Sequence, residues 1–351
     1  MQTIRRITSL CCIFLLVVVS CPVFAREKGE AEFMLIDAHN HILPYVDKTT
    51  IDFMGGAAAA LRAMDEYGIK KTILMPHPFT SGQSDSYTYL PLKEIVKHYP
   101  DRFLFMGGGG TLNIMLHDVS NKGHVAVAQK QKFEEIAEKI IQDGAVGFGE
   151  IVIEHFSMRP DHPYESVPAD HPLLLLLCDI AARHDVPVEI HMEAIPSAMD
   201  RPGHIPAGSN PQKLVANIEQ FEHLLTHNKA TRIVWCHAGW DNTGFRTTEL
   251  MSRLLKTHPN LYMDIKIRKN QGVAMNHPLK AGSLDPAWLA MLSEFPDRFM
   301  IGTDQFYQPM NARNKRRLEL EGSKRLMMIL PPELARKVGY ENAGRIFKLT
   351  L

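Results

Sequence analysis

Cysteine is scarce in this chain of 351 residues, which contains only five. Three of the five lie within the first 25 residues, and the other two are Cys178 and Cys236. Both of these lie inside apolar runs, so we expect buried free thiols, although an oxidising compartment would permit a disulfide between them. So few cysteines exclude the class of small secreted domains that disulfides hold together.

An excess of charge of one sign is also missing. The chain has 39 Lys+Arg and 39 Asp+Glu, which gives a formal net charge of zero with histidine neutral. Residues 1–25 contain two arginines and no acid, so the remainder carries 37 basic against 39 acidic residues, a net charge of −2. No run of basic residues occurs, and we therefore expect no nucleic-acid partner.

Long hydrophobic runs are absent as well. The apolar run Leu10–Val19 is shorter than the about 20 residues that a membrane-spanning helix needs. Arg5 and Arg6 precede this run, and the small residues Val23 and Ala25 follow it. This pattern is typical of a secretory signal peptide over residues 1–25, which predicts an exported protein in the periplasm or outside the cell.

Two alternatives remain open at this end of the chain. The apolar run could stay attached as a membrane anchor. Residues 18–21 also loosely resemble a bacterial lipobox, in which Cys21 would become the lipidated first residue of a lipoprotein. Apart from such lipidation, the sequence gives no reason to expect membrane attachment.

After residue 34, short apolar runs rich in β-branched residues alternate with longer stretches at helical spacing. The predicted strands are residues 35–41, 71–76, 102–108, 145–153, 187–193, 232–239, 260–267 and 298–306. The predicted helices are residues 58–68, 92–99, 132–144, 171–185, 214–228, 248–258, 286–295 and 315–330. Alternation repeated eight times predicts a single α/β domain over residues 26–351, a (β/α)8 TIM barrel, with a doubly wound open sheet as the alternative.

Polar residues interrupt several of these strands near their carboxyl ends. Strands of a parallel barrel are buried on both faces and are normally apolar throughout, whereas active sites are built at their carboxyl ends. All the interrupting residues are of types that bind metals: His39, His41, Glu150, His191, His237 and Asp304. Each could instead be a separately satisfied structural group, but one shared metal ion would satisfy all of them together.

The spacing of His39 and His41 supports a metal site. Alternate residues of a strand point to the same side and lie about 6.5–7 Å apart, while the intervening Asn40 points away. Two imidazoles at this separation can bind one divalent ion between them. Imidazole-rich sites favour ions such as Zn²⁺ over Mg²⁺ or Ca²⁺, so zinc is the expected ion.

This pattern resembles the amidohydrolase superfamily of metal-dependent hydrolases. His39 and His41 look like its first-strand pair, His191 and His237 like its fifth- and sixth-strand histidines, and Asp304 like its eighth-strand aspartate. The ending ENAGRIFKL is similar to the closing helix of the amidohydrolase-related branch, which also includes decarboxylases.

The fourth strand departs from the pattern of many binuclear relatives. Those relatives place a carboxylated lysine at its end, but the fourth run here contains no lysine. Gly149-Glu150 instead resembles the corresponding pair of TatD-type nucleases, although the absence of a basic cluster argues against a nuclease. Glu150 could bridge two ions or contact a single ion or its water, so the site holds one or two ions.

The resemblance implies a hydrolase in which metal-activated hydroxide attacks an amide, ester or lactone of a small molecule. Asp304 would bind the ion and carry the proton, and the ion or His237 would polarise the substrate carbonyl. Lys266 or Arg268 could hold a substrate carboxylate. The candidate substrate-binding residues, each of which could instead be an ordinary solvated or packing residue, are His77, Trp240, Lys266, Arg268, Phe306 and Tyr307.

Two other classes of function remain open. A non-oxidative decarboxylase would use the same metal scaffold. A secreted metal-binding protein without catalysis is disfavoured, because binding alone does not need acid–base groups such as Asp304 and His237. Neither the oligomeric state nor the identity of the substrate follows from the sequence.

Our first prediction concerns the amino terminus. We expect cleavage after Ala25, so that the exported protein starts at Arg26 and is soluble. Amino-terminal sequencing of the exported fraction checks this. A lipidated Cys21 would contradict the expected solubility, and an intact Met1 would contradict processing altogether.

Overall fold

The computed structural model describes residues 34–83, 86–119, 124–159, 162–268 and 276–350. The predicted signal peptide, the lipobox and the predicted start of the mature chain lie outside these residues. All described residues belong to one compact unit. No helix within them is both long enough and apolar enough to span a membrane.

Eight parallel strands of the described residues form the central sheet. They are β1 (Leu35–Ile42), β2 (Ile69–Leu74), β3 (Phe103–Phe105, continuing as Gly107–Gly108), β4 (Phe148–His155), β5 (Val188–Met192), β6 (Ile233–Ala238), β7 (Leu261–Ile265) and β8 (Phe299–Ile301, continuing as Gln305–Tyr307). Each lies within or close to one of the eight predicted runs. A short segment, Glu165–Ser166, adds an antiparallel partner to β4.

Hydrogen bonds on both sides of β3 close this sheet. The strand order is β3-β2-β1-β8-β7-β6-β5-β4, and the Gly107–Gly108 part of β3 pairs with β4. At the junction, Met106 N–H donates to the Leu74 carbonyl at 2.9 Å, and Phe105 accepts from Val146 N–H at 2.9 Å. The chain therefore forms the predicted TIM barrel, and the open-sheet alternative is wrong.

Helices follow the strands around the barrel. They are α1 (Phe53–Tyr67), α2 (Leu90–His98), α3 (Leu112–Val119), α4 (Val127–Gln142), α5 (Pro172–His184), α6 (Ile218–His227), α7 (Thr248–Thr257), α8 (Pro286–Glu294), α9 (Glu321–Ile329), α10 (Pro332–Arg336) and α11 (Asn342–Ile346), with a π-helical turn at Lys337–Glu341. Helix α3 was not predicted, although Leu112 and Leu116 are buried at helical spacing. The predicted helix over residues 315–330 begins only at Glu321.

Local signals define the ends of the helices. Asp52 precedes α1 and accepts a hydrogen bond from Gly55 N–H at 2.7 Å, which satisfies one of the unpaired donors of the first turn. Gly68 ends α1 in the left-handed conformation, with φ of 72°, which glycine adopts without steric penalty. Helix α1 then packs its buried small residues against the sheet, so that the carboxyl end of β1 is held in place.

Apolar side chains fill the layer between the sheet and the helices. Trp235, Trp288 and Phe221 are among the largest fully buried side chains of this layer. Cys178 and Cys236 are buried free thiols, as the sequence predicted. The polar exceptions to this core lie mainly at one end of the barrel.

Two further buried acids lie on β4 and on its antiparallel partner segment. Glu154 accepts a hydrogen bond from the Tyr164 hydroxyl at 2.8 Å. Glu165 accepts one from the Asn113 amide at 2.9 Å, while its second oxygen has no hydrogen-bond partner among the described residues. Burial raises the pKa of each carboxyl group to about 7. Both acids therefore keep their proton to a higher pH in the folded protein than in the unfolded chain.

Glu165 should make folding stability depend on pH. Because burial raises its folded pKa above the ordinary value of 4.5, the unfolded chain loses this proton first, and stability falls as pH rises from about 4.5 through about 7. Glu165→Gln should remove this loss, so its stability relative to wild type should rise by about 2–3 kcal/mol between pH 5 and 8. Denaturant unfolding at the two pH values measures the difference.

The control is the exposed Glu66→Gln, which should leave the pH dependence unchanged. Parallel stability curves for Glu165→Gln and wild type would show that Glu165 is ionised in the folded protein.

Candidate metal centre and active site

All six predicted ligands come together at the carboxyl end of the barrel. They lie on or directly after β1 (His39 and His41), β4 (Glu150), β5 (His191), β6 (His237) and β8 (Asp304). Five of them are buried, and the His191 side chain is 12% exposed. Because the strands are parallel, all their carboxyl ends meet at one end of the barrel, and this brings together residues that are far apart in sequence.

The ring nitrogens of β1 and β6 form the centre of the cluster. His39 Nε2 lies 3.1 Å from His41 Nε2 and 3.4 Å from His237 Nε2. Asp304 Oδ1 lies 3.2 Å from His41 Nε2. Glu150 Oε2 lies 3.6 Å from the Nε2 atoms of both His39 and His41. Three groups that could each hold an ion share His39, and its companions are His41 and Asp304 in one, Glu150 and His237 in another, and Glu189, Cys236 and Asp264 in the third.

The hydrogen bonds of the β1 histidines show that this donor set fits a cation. His41 Nδ1 lies 2.9 Å from the Met75 carbonyl, which can only accept, so Nδ1 carries the hydrogen. His39 Nδ1 lies 2.9 Å from a carboxyl oxygen of Glu189. Burial would lower the pKa of His39, but the carboxyl groups of Glu189 and Glu150 raise it well above its ordinary value, so this position favours a positive charge. The Nε2 atoms of His39 and His41 lie 3.1 Å apart, and a divalent ion of the zinc or manganese type would supply that charge with ligands it prefers.

His191 lies outside this centre. Its Nδ1 lies 2.7 Å from Glu150 Oε1, and its ring centroid is 4.9 Å from that of His237. His191 therefore contacts the centre through Glu150. The convergence of the six side chains is a feature of the structure, whereas their role as metal ligands stays a prediction.

Asp304 is fixed by both backbone and side chain. Its N–H donates to the His39 carbonyl at 2.9 Å, and its backbone is left-handed, with φ of 51°. Its Oδ2 accepts a hydrogen bond from the Lys266 ammonium, and Arg268 Nη2 lies 3.5 Å away. Burial would raise the pKa of Asp304, but Lys266 and His237 hold it well below its ordinary value. Asp304 is therefore ionised and can accept a proton.

His237 is also held in an uncommon backbone conformation. Its φ is 67°, and its N–H donates to Asp264 Oδ1 at 2.7 Å. This charge-assisted hydrogen bond supports a conformation that a residue with a side chain rarely adopts. Burial, reinforced by Lys266, lowers the pKa of His237 well below its ordinary value. The ring is therefore neutral at physiological pH.

Two acids beneath His39 were not predicted. Glu189 lies on β5 and Asp264 on β7, and both are completely buried. Burial raises the pKa of Glu189 to about 8, against the lowering effect of His39. Their signal in the sequence was an acid in the middle of an otherwise apolar strand, in VEIHM and LYMDI.

A cavity of about 590 Å³ opens above the centre. Glu150, His191, His237 and Asp304 lie at its base. Five of the six predicted substrate-binding residues line it: His77, Trp240, Lys266, Arg268 and Phe306. Burial lowers the pKa of His77 to about 3, so this ring is neutral.

Tyr307 does not line this cavity, and its assignment is corrected. The side chain is fully buried in the apolar core. Phe306 and Tyr307 are neighbours on the second part of β8, and adjacent strand residues point to opposite faces. Because Phe306 faces the cavity and stacks on His41 with 4.6 Å between ring centroids, Tyr307 must face the core.

The cavity wall is richer in cations than the sequence indicated. Arg159 and Arg316 also line it, beside Lys266 and Arg268, whereas the acids of the described lining are Glu150 and Asp304. The guanidinium of Arg316 lies 4.3 Å from the centre of the Phe306 ring. Lys266 and Arg268 lie over the ring of Trp240, at 4.7 and 5.2 Å. The wall thus combines positive charge with flat apolar surface.

Comparisons with known proteins agree with this geometry. The family model described as amidohydrolase matches residues 116–349, which is well over half of the chain. No curated protein sequence matches the chain. A solved structure with a similar fold is a probable 2-pyrone-4,6-dicarboxylic acid hydrolase from Acinetobacter baumannii with citric acid bound. It shares 12% sequence identity over 90% of this chain and 99% of that chain, with a TM-score of 0.51.

A second solved structure, of a protein from Agrobacterium tumefaciens in its apo form, is equally similar. Sequence identity is 15% over 90% of this chain and 96% of that chain, and the TM-score is again 0.51. At such identities these likenesses support the fold.

The donor geometry predicts where a metal would bind. Replacing His39 and His41 together with Ala should abolish high-affinity binding of a divalent transition ion, because both bare nitrogens are lost. Elemental analysis of the purified protein after dialysis measures the bound metal. The control replaces two exposed histidines of α6, His223 and His227, with Ala, and should leave the metal content unchanged. Full metal content in the β1 double variant would contradict the site.

Proposed function

Because the chain belongs to the amidohydrolase family, we propose that it is a metal-dependent hydrolase that cleaves an amide, ester or lactone of a small anionic molecule. One observation carries the proposal. The Nε2 atoms of two histidines and the Asp304 carboxylate converge at the base of a cavity whose described lining holds more cations than acids. Metal-dependent hydrolysis needs such a combination of ligands, an acid–base group and a substrate pocket.

His39, His41 and Asp304 would hold a divalent ion, expected to be Zn²⁺, and Glu150 could complete its coordination or that of a second ion. The bound ion would supply Lewis-acid activation of water and of the scissile carbonyl group. Glu150 is positioned for this by His191, which keeps one of its oxygens engaged while the other faces the β1 histidines.

Asp304 is the proposed proton carrier. Its carboxylate is ionised, so Oδ1 can take a proton from the attacking water and later give it to the leaving group. The Lys266 ammonium holds Oδ2 and so fixes the direction of the carboxylate. The neutral His237 ring, 3.9 Å from Oδ2, is the side chain best placed to orient the substrate carbonyl.

The proposed preference for anions follows from the wall of the cavity. Besides Lys266, which is paired with Asp304, three arginines line the cavity, Arg159, Arg268 and Arg316, and Arg268 also lies 3.5 Å from Asp304. Arginine binds carboxylates with two parallel hydrogen bonds, and guanidinium groups stacked on Trp240 and Phe306 are held in fixed planes. Export of the protein, which we also propose from residues 1–25, would direct the activity to substrates outside the cytoplasm.

A non-oxidative decarboxylase is the second candidate. The same observation favours it, because a wall that binds a carboxylate beside a proton-carrying group also suits the loss of CO₂. A metal-binding protein without catalysis is disfavoured, since the Lys266–Asp304 pair orients an acid–base group that binding does not require.

The test is a substrate panel with the metal-loaded protein and its Asp304→Asn variant. We expect hydrolysis of small lactones, esters or amides that carry a free carboxylate, with kcat/KM at least about tenfold lower for the matched neutral methyl esters. Asp304→Asn should lower kcat by about 10²–10⁴-fold, because the proton carrier is lost while the histidines retain the metal. The exposed Asp297→Asn is the control and should keep wild-type turnover.

Each other outcome has a distinct meaning. Release of CO₂ without hydrolysis would replace the proposed reaction by decarboxylation. Tight metal binding without any turnover would contradict both enzymatic candidates. Wild-type kcat in metal-loaded Asp304→Asn would contradict the proton-carrying role.

A further inference from the structure

His39 uses its two ring nitrogens in two different directions. Nε2 faces the centre of the site, towards His41 and His237. Nδ1 faces away from the cavity into the barrel, where it lies 2.9 Å from Glu189 Oε1 and 3.6 Å from Asp264 Oδ2. A ring held at both nitrogens in this way has one orientation.

Packing does not explain why Glu189 lies in the barrel interior. Barrel interiors are filled mainly by branched apolar side chains, and an acid there loses its hydration. Glu189 is completely buried, and its Oε2 has no hydrogen-bond partner within the described residues. A hydrophobic side chain of similar size would fill this space at a lower cost in free energy. The carboxyl group must therefore have a role other than packing.

Asp264, the neighbouring acid, has a separate structural role. Its Oδ1 accepts the N–H of His237, which supports the left-handed backbone at that residue. Glu189 makes its hydrogen bond with the ring of His39 at 2.9 Å and also interacts with Asp264. Asp264 lies farther from the ring, with Oδ2 3.6 Å from Nδ1, so Glu189 is the nearer acceptor for His39.

We propose that Glu189 is a positioning residue for the metal centre, which acts by accepting the Nδ1 hydrogen of His39. This contact fixes the tautomer in which Nε2 is bare, turns the ring towards the ion and raises the basicity of Nε2. Acceptors behind a metal-binding histidine typically change metal affinity by about 10–100-fold. The inference rests on the proposed metal-dependent function and assigns a residue that touches neither the ion nor the substrate.

The test measures metal affinity alone, with Co²⁺ as the probe in competition with a chelator. Glu189→Met keeps a similar unbranched shape but removes the acceptor, and should weaken Co²⁺ binding by about 10–100-fold. Glu189→Gln restores a neutral acceptor and should recover most of this loss. The matched control is Glu154→Met, which replaces a buried acid of β4 whose partner is Tyr164, and should bind Co²⁺ as the wild type does.

The possible outcomes distinguish a failure of this inference from a failure of the proposed metal-dependent function. If wild-type protein binds no Co²⁺, the proposed metal-dependent function fails. If wild type binds tightly and Glu189→Met binds equally, only the positioning role of Glu189 fails. A role confined to structure would lower the melting temperature of Glu189→Met and leave the Co²⁺ affinity of the folded fraction unchanged, which would also overturn the inference.

A measurement on wild-type protein decides the matter if Glu189→Met does not fold. In ¹⁵N-histidine-labelled, metal-free protein, Nδ1 of His39 should carry a hydrogen, whether or not Nε2 also carries one. Finding Nδ1 without a hydrogen would overturn the inference.

Discussion

The burial of several ionisable groups at one end of the barrel is the constraint on which the rest of the site depends. A charge removed from water is costly unless it is paired. Three acids of the cluster accordingly have a defined hydrogen-bond partner: Asp304 pairs with Lys266, Glu150 with His191 and Glu189 with His39. At the inner side of the centre, ring nitrogens and carboxylate oxygens face one another, an arrangement that favours a bound cation.

This requirement extends to the backbone. Two residues of the centre, His237 and Asp304, adopt left-handed conformations, and each is held by a hydrogen bond from its own N–H to another strand. Gly302 belongs to the same arrangement, because a Cβ atom there would lie 2.6 Å from the Asp264 carboxyl carbon. The acid that supports His237 therefore also requires glycine on the neighbouring strand β8. Folding and site assembly are thus linked through Asp264.

Sequence patterns predicted the parts of this structure that repeat. Eight apolar runs and the polar residues at their carboxyl ends predicted the barrel and the meeting of six side chains. This was possible because the carboxyl ends of parallel strands all lie at the same end of a barrel. Glu189 and Asp264 escaped notice because a single acid inside a strand has no periodic signal. Tyr307 was assigned to the wrong face of its strand, because it is the neighbour of Phe306, which does face the cavity. Arg159 and Arg316 were not predicted because they lie on loops, and the periodicity of a sequence does not predict the path of a loop.

Lys266 shows how much the interpretation of one side chain depends on its neighbours. From sequence it could hold a substrate carboxylate, yet in the structure it binds the Asp304 carboxylate of the protein itself. The charges of the site therefore divide into two layers. At the base, Lys266 and Arg268 contact Asp304, whereas Arg159 and Arg316 line the cavity from loops, with Arg316 over the Phe306 ring. Because the cations at the base already contact a carboxylate of the protein itself, changes in the loop arginines are the ones expected to alter the charge preference for the substrate without moving the proposed proton carrier.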